Sequence, residues 1–312
     1  MEAGTAKTSH AQLTLGPLLY HWDAGKRRDF YFKIADEAQV DCVYLGEVIC
    51  SKREPYFEDY FYQVAERLRS AGKEVVISTL GLVTSAREMN TIKKRASEDA
   101  VVEANDVACL QALHGKPHVI GPLVNVFNEG AREFVLRNGA FRIVLPVEAP
   151  ATSIKVLANT PAEIEVMVFG RQTLSVAMRC YHARSHGLTK DTCQYVCGLD
   201  PNGLSATTVT GEDLLTISGA STQTHGYVVL LKELEALRKM GVTHFRVSPQ
   251  DMDMVAVTSL YRDALDGACS PDEAEARLRK LSGDIPFING FYYAREGLSW
   301  REQRAALYGR SQ

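Results

Sequence analysis

No stretch of this sequence is apolar for long enough to cross a bilayer. Runs such as Val75-Val76-Ile77 and Val228-Val229-Leu230-Leu231 fall far short of the roughly 20 residues a spanning helix needs. Residues 1–12 are small and polar and lack the apolar segment of a secretory signal, so a cytoplasmic location is expected. Neither sign of charge is in excess: 35 basic against 38 acidic side chains leave a net charge of −3, which is no footprint for long nucleic acid. The densest basic run, Lys93-Lys94-Arg95, reads as the wet face of a helix. There is no HExxH zinc motif and no GxSxG elbow, which argues against a zincin or a serine hydrolase. No Gly-rich dinucleotide fingerprint follows an early strand, and no CxxC pair occurs.

What is present is a rhythm. The 312 residues, 46% hydrophobic and 23% charged, allow one large domain or two ordinary ones. Apolar side chains recur at helical spacing in Phe30, Ile34, Ala35 and Ala38, and again in Phe57, Phe61, Val64 and Leu68. Two more sets are Ala131, Phe134 and Val135, and Leu230, Leu234 and Leu237. Three of these segments end at Gly72, Gly139 and Gly241, the usual close of a helix. Each glycine is followed by a short β-branched run, at 75–78, 141–145 and 244–247, and similar runs lie at 13–19, 42–45, 118–126 and 164–169. Buried strands alternating with helices imply a parallel sheet covered by helices, and about eight such units fit a (β/α) barrel of the TIM-barrel type. The expected organisation is a disordered tail over 1–12 and a single barrel domain over 13–312. Within it, a long Gly-, Thr- and Ser-rich stretch around 180–221 breaks the rhythm and reads as an irregular functional loop.

Seven cysteines, an odd number, do not make a disulfide framework. Cys180, Cys193 and Cys197 fall in or beside the irregular loop, and thiolates are soft ligands for zinc or iron–sulfur clusters. Cys50 is the best fourth candidate, because it lies just past the run 42–45, at the strand end where barrel sites are built. Cys42 is expected in the core, Cys109 on an apolar helix and Cys269 in a turn. On spacing alone three readings stand: a four-thiolate cluster, a zinc site completed by His182 and His186, or buried thiols without a ligand.

Four blocks carry a resemblance. They are Tyr44-Leu45-Gly46-Glu47 with Cys50-Ser51-Lys52-Arg53; Met178-Arg179-Cys180 with Ala183-Arg184; Cys193-x-x-x-Cys197 with Pro201-Asn202-Gly203; and Val247-Ser248-Pro249-Gln250. In this order they resemble the collagenase-like peptidase family, and within it a branch that acts in anaerobic ubiquinone biosynthesis; the likeness spans 13–298. The resemblance implies a [4Fe-4S] cluster held by Cys50, Cys180, Cys193 and Cys197. It further implies a heterodimer with a sister protein of similar fold and cluster, and a shared role in hydroxylating the prenylated ubiquinone precursor ring without molecular oxygen. A small lipid-binding protein belongs to the same pathway. Where wider relatives often carry a His-Gly pair, this chain has Phe169-Gly170, so any proton-transfer role of that histidine does not carry over.

Polar residues beside the buried runs are further site candidates: Glu47, Asn125, Asn128, Glu148, Arg179 and Arg246. Glu47, Glu148 and Arg179 are the catalytic candidates among them. Arg179, next to Cys180, is expected to donate charged hydrogen bonds to a cluster sulfide or an anionic substrate. Glu47 or Glu148 would serve as a base if burial raises its pKa. Four function classes follow: an iron–sulfur subunit of an oxygen-independent hydroxylase, an RNA-base hydroxylating enzyme of the same family, a peptidase, and a scaffold without chemistry. The first is favoured, because the charge balance offers no groove for RNA and no proteolytic motif is present. A cluster with four protein ligands leaves no iron open, which points to electron transfer or a structural role.

Overall fold

The computed structural model describes residues 10–302. Seven strands alternate with helices in the first half: β1 (Gln12–Leu15), β2 (Cys42–Gly46), β3 (Glu74–Ser78), β4 (Val101–Ala104), β5 (His118–Ile120), β6 (Ala140–Val144) and β7 (Glu163–Gly170). The helices between them are α1 (Ala24–Glu37), α2 (Glu58–Ser70), α3 (Ala86–Ser97), α4 (Val107–Leu113), α5 (Glu129–Arg137) and α6 (Ala151–Leu157). An insert follows, with strands β8 (Thr173–Val176), β9 (Leu204–Thr207), β10 (Asp213–Ser218) and β11 (Ser221–Thr224) and the short helix α7 (Tyr181–Ser185). The chain then returns through β12 (Tyr227–Val229), α8 (Leu234–Met240), β13 (His244–Val247), α9 (Met254–Leu265), α10 (Pro271–Ser282) and β14 (Phe287–Ile288).

Strands β1 to β7 pair in sequence order, and β13 pairs in parallel with both β1 and β7. The result is a closed eight-stranded parallel barrel, the expected fold. Outward residues such as Leu13, Leu15, Val43, Leu45, Phe245 and Val247 are fully buried against the helices. Their inward neighbours follow the strand period of two. Helix α8 ends at Gly241, whose φ of +103° closes it as a left-handed cap. The sequence rhythm did not mark β4, whose four residues include Glu103 among their inward positions.

The barrel interior is polar. Arg246 donates to Glu103 at 2.8 Å and to Glu165 at 2.7 Å, and Tyr44 and Thr14 also donate to Glu165. Burial alone would raise the Glu165 carboxyl, but Arg246 and Arg142 outweigh it and hold it down to about 2. An ion pair this deep survives because nearly every donor and acceptor in it is matched.

Two expectations of organisation change. Residues 1–9 of the expected tail lie outside the described residues, but Ala11 is buried and Gln12 opens β1 opposite His244, so the barrel starts before Leu13. The stretch expected to be irregular around 180–221 holds β9 and β10, which join the flanking β8 and β11 in an antiparallel sheet of order β8-β11-β10-β9. Its short strands are rich in Ser and Thr, with β9 half-exposed and β11 buried through polar side chains, so no apolar alternation announced them.

Candidate functional site

Cys50, Cys180, Cys193 and Cys197, from three separate segments, line one small pocket together with Lys52, Arg53, Lys190, Tyr195, Val196 and Gly219. Cys50 follows β2 in a turn shaped by Glu47, which accepts the N–H groups of Ile49 at 2.9 Å and Cys50 at 3.0 Å. Cys180 caps α7, its sulfur accepting the N–H of Ala183 at 3.3 Å. Cys193 and Cys197 bracket a turn in which Gln194 and Tyr195 both have positive φ, a conformation that brings the two thiols to the same side. Cys42 lies in the barrel, Cys109 on α4 and Cys269 near the end of α9; none lines the pocket.

Burial pushes the thiols of Cys50, Cys180 and Cys197 up, and Arg53 pulls all three back toward the thiolate. Arg53 is buried and also donates to the Leu19 carbonyl at 3.1 Å. Lys52 donates to the carbonyls of Lys190 at 2.8 Å and Asp191 at 3.0 Å, tying the insert over the pocket. Gly219 faces Arg53 from the other side: a Cβ there would lie 2.2 Å from Nη2, and its φ is +63°. Tyr195, which lines the pocket, packs with His21 and Tyr56 in an aromatic cluster in which His21 meets Tyr56 edge to face. Burial, with Arg53 and Arg27 nearby, lowers the His21 pKa to about 4.

The donor set bears on which ligand these residues suit. A single tetrahedral zinc would need its sulfurs within about 4 Å of one another. Among the described residues, only His182, His186 and Asp200 bring three ligand atoms within 4.8 Å, so no three of the thiols are that close. Four spread thiols without a carboxylate suit a polynuclear iron–sulfur group, with Arg53, Lys52 and Lys190 offsetting its negative charge. The two histidines group with Asp200 and not with the thiols.

A second cavity of about 240 Å³ opens at the C-terminal mouth of the barrel. Asn105, Asn125, Glu148, Arg171 and Arg246 line it, under a lid formed by β8. Leu19, Leu123 and Val176 line this cavity and pack on Val48, Ile49 and Ala220, as does Cys50. One apolar cluster therefore lies between the cysteine pocket and the barrel mouth.

The candidates divide accordingly. Glu148 is at the mouth, its carboxyl raised by burial. Asn125 also lines the mouth, in the left-handed conformation. Arg246 reaches the mouth, but its guanidinium is spent on Glu103 and Glu165. Glu47 is away from the mouth, buried behind Cys50 with Arg27 and Arg53 about it at 3.9 and 4.0 Å. Asn128 caps α5 instead of facing the cavity. Arg179 is exposed and lines neither pocket; the arginine on the thiols is Arg53. Its place in the Cys50 block, three residues after Cys50, was the signal available for it.

Arg171 is the residue sequence reasoning missed. Buried at the mouth, it donates to the carbonyl of His225 and to both oxygens of Asn202, each at 3.0 Å. It thereby joins the barrel to the Pro201-Asn202-Gly203 turn. Tyr20 bonds Gln223 and Gln250, each at 2.9 Å, so a residue after β1 meets the insert and the segment after β13.

Fold and site together define a (β/α)-barrel protein whose mouth is capped by a cysteine-bearing insert. The sequence model of peptidase family U32 matches residues 31–302, and the chain belongs to that family. In the tryptophan synthase complex from Pyrococcus furiosus, one chain is similar at 11% identity and a TM-score of 0.41 over 88% of this chain and 99% of that one. That likeness is too remote to bear on function. Among the described residues no helix is long and apolar enough to cross a membrane.

Proposed function

We propose that this chain is a UbiV-like protein: the iron–sulfur subunit of an oxygen-independent hydroxylase that acts on the ubiquinone precursor ring. The observation that carries the proposal is the convergence of Cys50, Cys180, Cys193 and Cys197 on one pocket beside the barrel mouth. When bound there, a [4Fe-4S] cluster with four protein thiolates supplies one-electron transfer and no open iron. Arg53 offsets its charge, and Glu47 fixes the turn that presents Cys50. The mouth cavity then takes the polar aromatic head of the substrate. Glu148, whose carboxyl burial raises, is the group at the rim suited to hold or take a proton. The apolar cluster of Leu19, Val48 and Val176 packs with Cys50 between the thiols and the mouth.

The remaining parts of the reading rest on the resemblance of the four motif blocks. A UbiU-like sister protein completes the enzyme as a heterodimer, and a UbiT-like lipid-binding protein presents the prenylated precursor. A carrier fits a chain in which no described helix is long and apolar enough to cross a membrane.

The test is to purify the chain without oxygen and to measure iron, acid-labile sulfide and zinc beside a Cys193→Ala variant. About four irons and four sulfides per chain, reduced in the variant, support the reading. Thiol-bound zinc without sulfide overturns it. Restored hydroxylation when the wild-type chain, but not the variant, is combined with its sister protein supports the assignment to quinone chemistry.

A further inference from the structure

We infer that His182, His186 and Asp200 form a second metal site, separate from the thiols, that takes a divalent transition ion such as Zn²⁺. Their ligand atoms all lie within 4.8 Å of one another. His182 and His186 are four residues apart on the single turn of α7 and its C-cap, so both rings leave the same face. The rings stack, with centroids 5.7 Å apart and planes 4° from parallel. Asp200 arrives from the far end of the Cys193–Cys197 segment, and its Oδ2 lies 2.9 Å from Nε2 of the buried His182.

The donor chemistry selects the ion. Two imidazoles favour zinc, iron(II) or nickel over magnesium and calcium, which prefer all-oxygen shells. One carboxylate beside two imidazoles, with a fourth position left for water, is an ordinary zinc set. His182 and Asp200 hold their positions already, while His186 is exposed and turns toward the ion by giving up only its stacking on His182. A hydrogen bond between His182 and Asp200 accounts for those two residues alone. It gives no reason for a second imidazole to lie against them.

The location gives the site its role. Helix α7 carries Cys180 at its N-cap, and the segment that ends at Asp200 carries Cys193 and Cys197. An ion on His182, His186 and Asp200 would staple these two segments together and fix the spacing of three of the four thiols. The site is structural in this sense. It is independent of what the thiols hold.

The experiment is calorimetric titration of the full chain with Zn²⁺, after chelator has removed loosely bound metal. The wild type, His186→Ala, Asp200→Asn and Cys193→Ala are compared, with hydrogen exchange of residues 181–200 followed with and without Zn²⁺. The expected result is one Zn²⁺ per chain whose affinity falls at least about tenfold in His186→Ala and in Asp200→Asn. Cys193→Ala should keep it, and Zn²⁺ should slow exchange in the segment. His186 is exposed, so its variant should fold normally. Zinc affinity that survives both His186→Ala and Asp200→Asn, or that disappears in Cys193→Ala alone, would overturn the inference and leave only the hydrogen bond.

Discussion

The carboxylate of Glu47 accepts the backbone N–H of Cys50 at 3.0 Å, so the acid that closes one sequence block sets the backbone of the cysteine that opens the next. A side chain that looked like a catalytic base by its strand-end position is a positioning residue. It also stands within 4.0 Å of Arg53, which in turn faces the thiols. Removing it strips acceptors from two amide groups and leaves two buried arginines without a counter-charge.

Glu47→Ala is therefore expected to lower stability by about 2 kcal/mol or more, since unmatched buried donors cost that much. It should also reduce the iron retained by the anaerobically purified chain. Glu47→Gln keeps one carbonyl acceptor for the turn and should retain more metal than Glu47→Ala. Chemical denaturation and iron analysis of both variants check this, and equal metal in the two would contradict a positioning role.

Gly219 and Arg53 cannot both keep their places if a methyl group is added. Gly219→Ala forces a residue with a side chain into a φ of +63° and sets its Cβ against Nη2 of Arg53. The left-handed conformation alone costs about 1–2 kcal/mol. The expected outcome is a lower melting temperature and weaker metal retention than in the wild type. A melt unchanged within error would show that Arg53 moves aside freely.

Arg171 and Arg179 should separate cleanly. Arg171→Ala loses the contacts to His225 and Asn202 and loosens the insert over the mouth. Hydrogen exchange in residues 200–204 should rise, and hydroxylation in the reconstituted complex should fall. Arg179→Ala removes an exposed side chain and should leave both readouts at wild-type values. The reverse pattern would restore Arg179 as the functional arginine.

The pH dependence of stability has one clear contributor in Glu233. Burial raises its carboxyl from 4.5 to about 6, partly relieved by the hydroxyl of Tyr293 at 2.7 Å. The folded state thus holds this proton more tightly than the unfolded chain does. Its stabilising share is complete below pH 4.5 and is lost as pH rises through 6. Glu233→Gln removes the penalty, so at pH 7.5 it should be the more stable form by up to about 2 kcal/mol. Near pH 4 the two should be nearly equal. Urea melts at both pH values decide it, and a variant less stable at pH 7.5 would mean that the carboxylate is needed in ionised form.

Much of the fold could be read from the chain because it depends on local chemistry. The outward rows of Val, Leu and Phe mark strands buried against helices, and glycines such as Gly241 mark helix ends, since both signals act within a few residues. β4 escaped notice because Glu103 faces inward, where its charge is matched by Arg246, 143 residues away, while Ser78 and Asn105 also donate to its carboxylate. The insert sheet escaped because its Ser- and Thr-rich strands are held by cross-strand hydrogen bonds rather than by an apolar face. For the site, thiol chemistry and the end of β2 were enough to nominate Cys50, Cys180, Cys193 and Cys197. Their common pocket, the choice of Arg53 over Arg179, the work of Arg171 and the grouping of His182 with Asp200 were decided only by tertiary structure. Each of those is a contact between segments whose separation in sequence leaves no periodicity to read, and only closure of the barrel with docking of its insert brings them together.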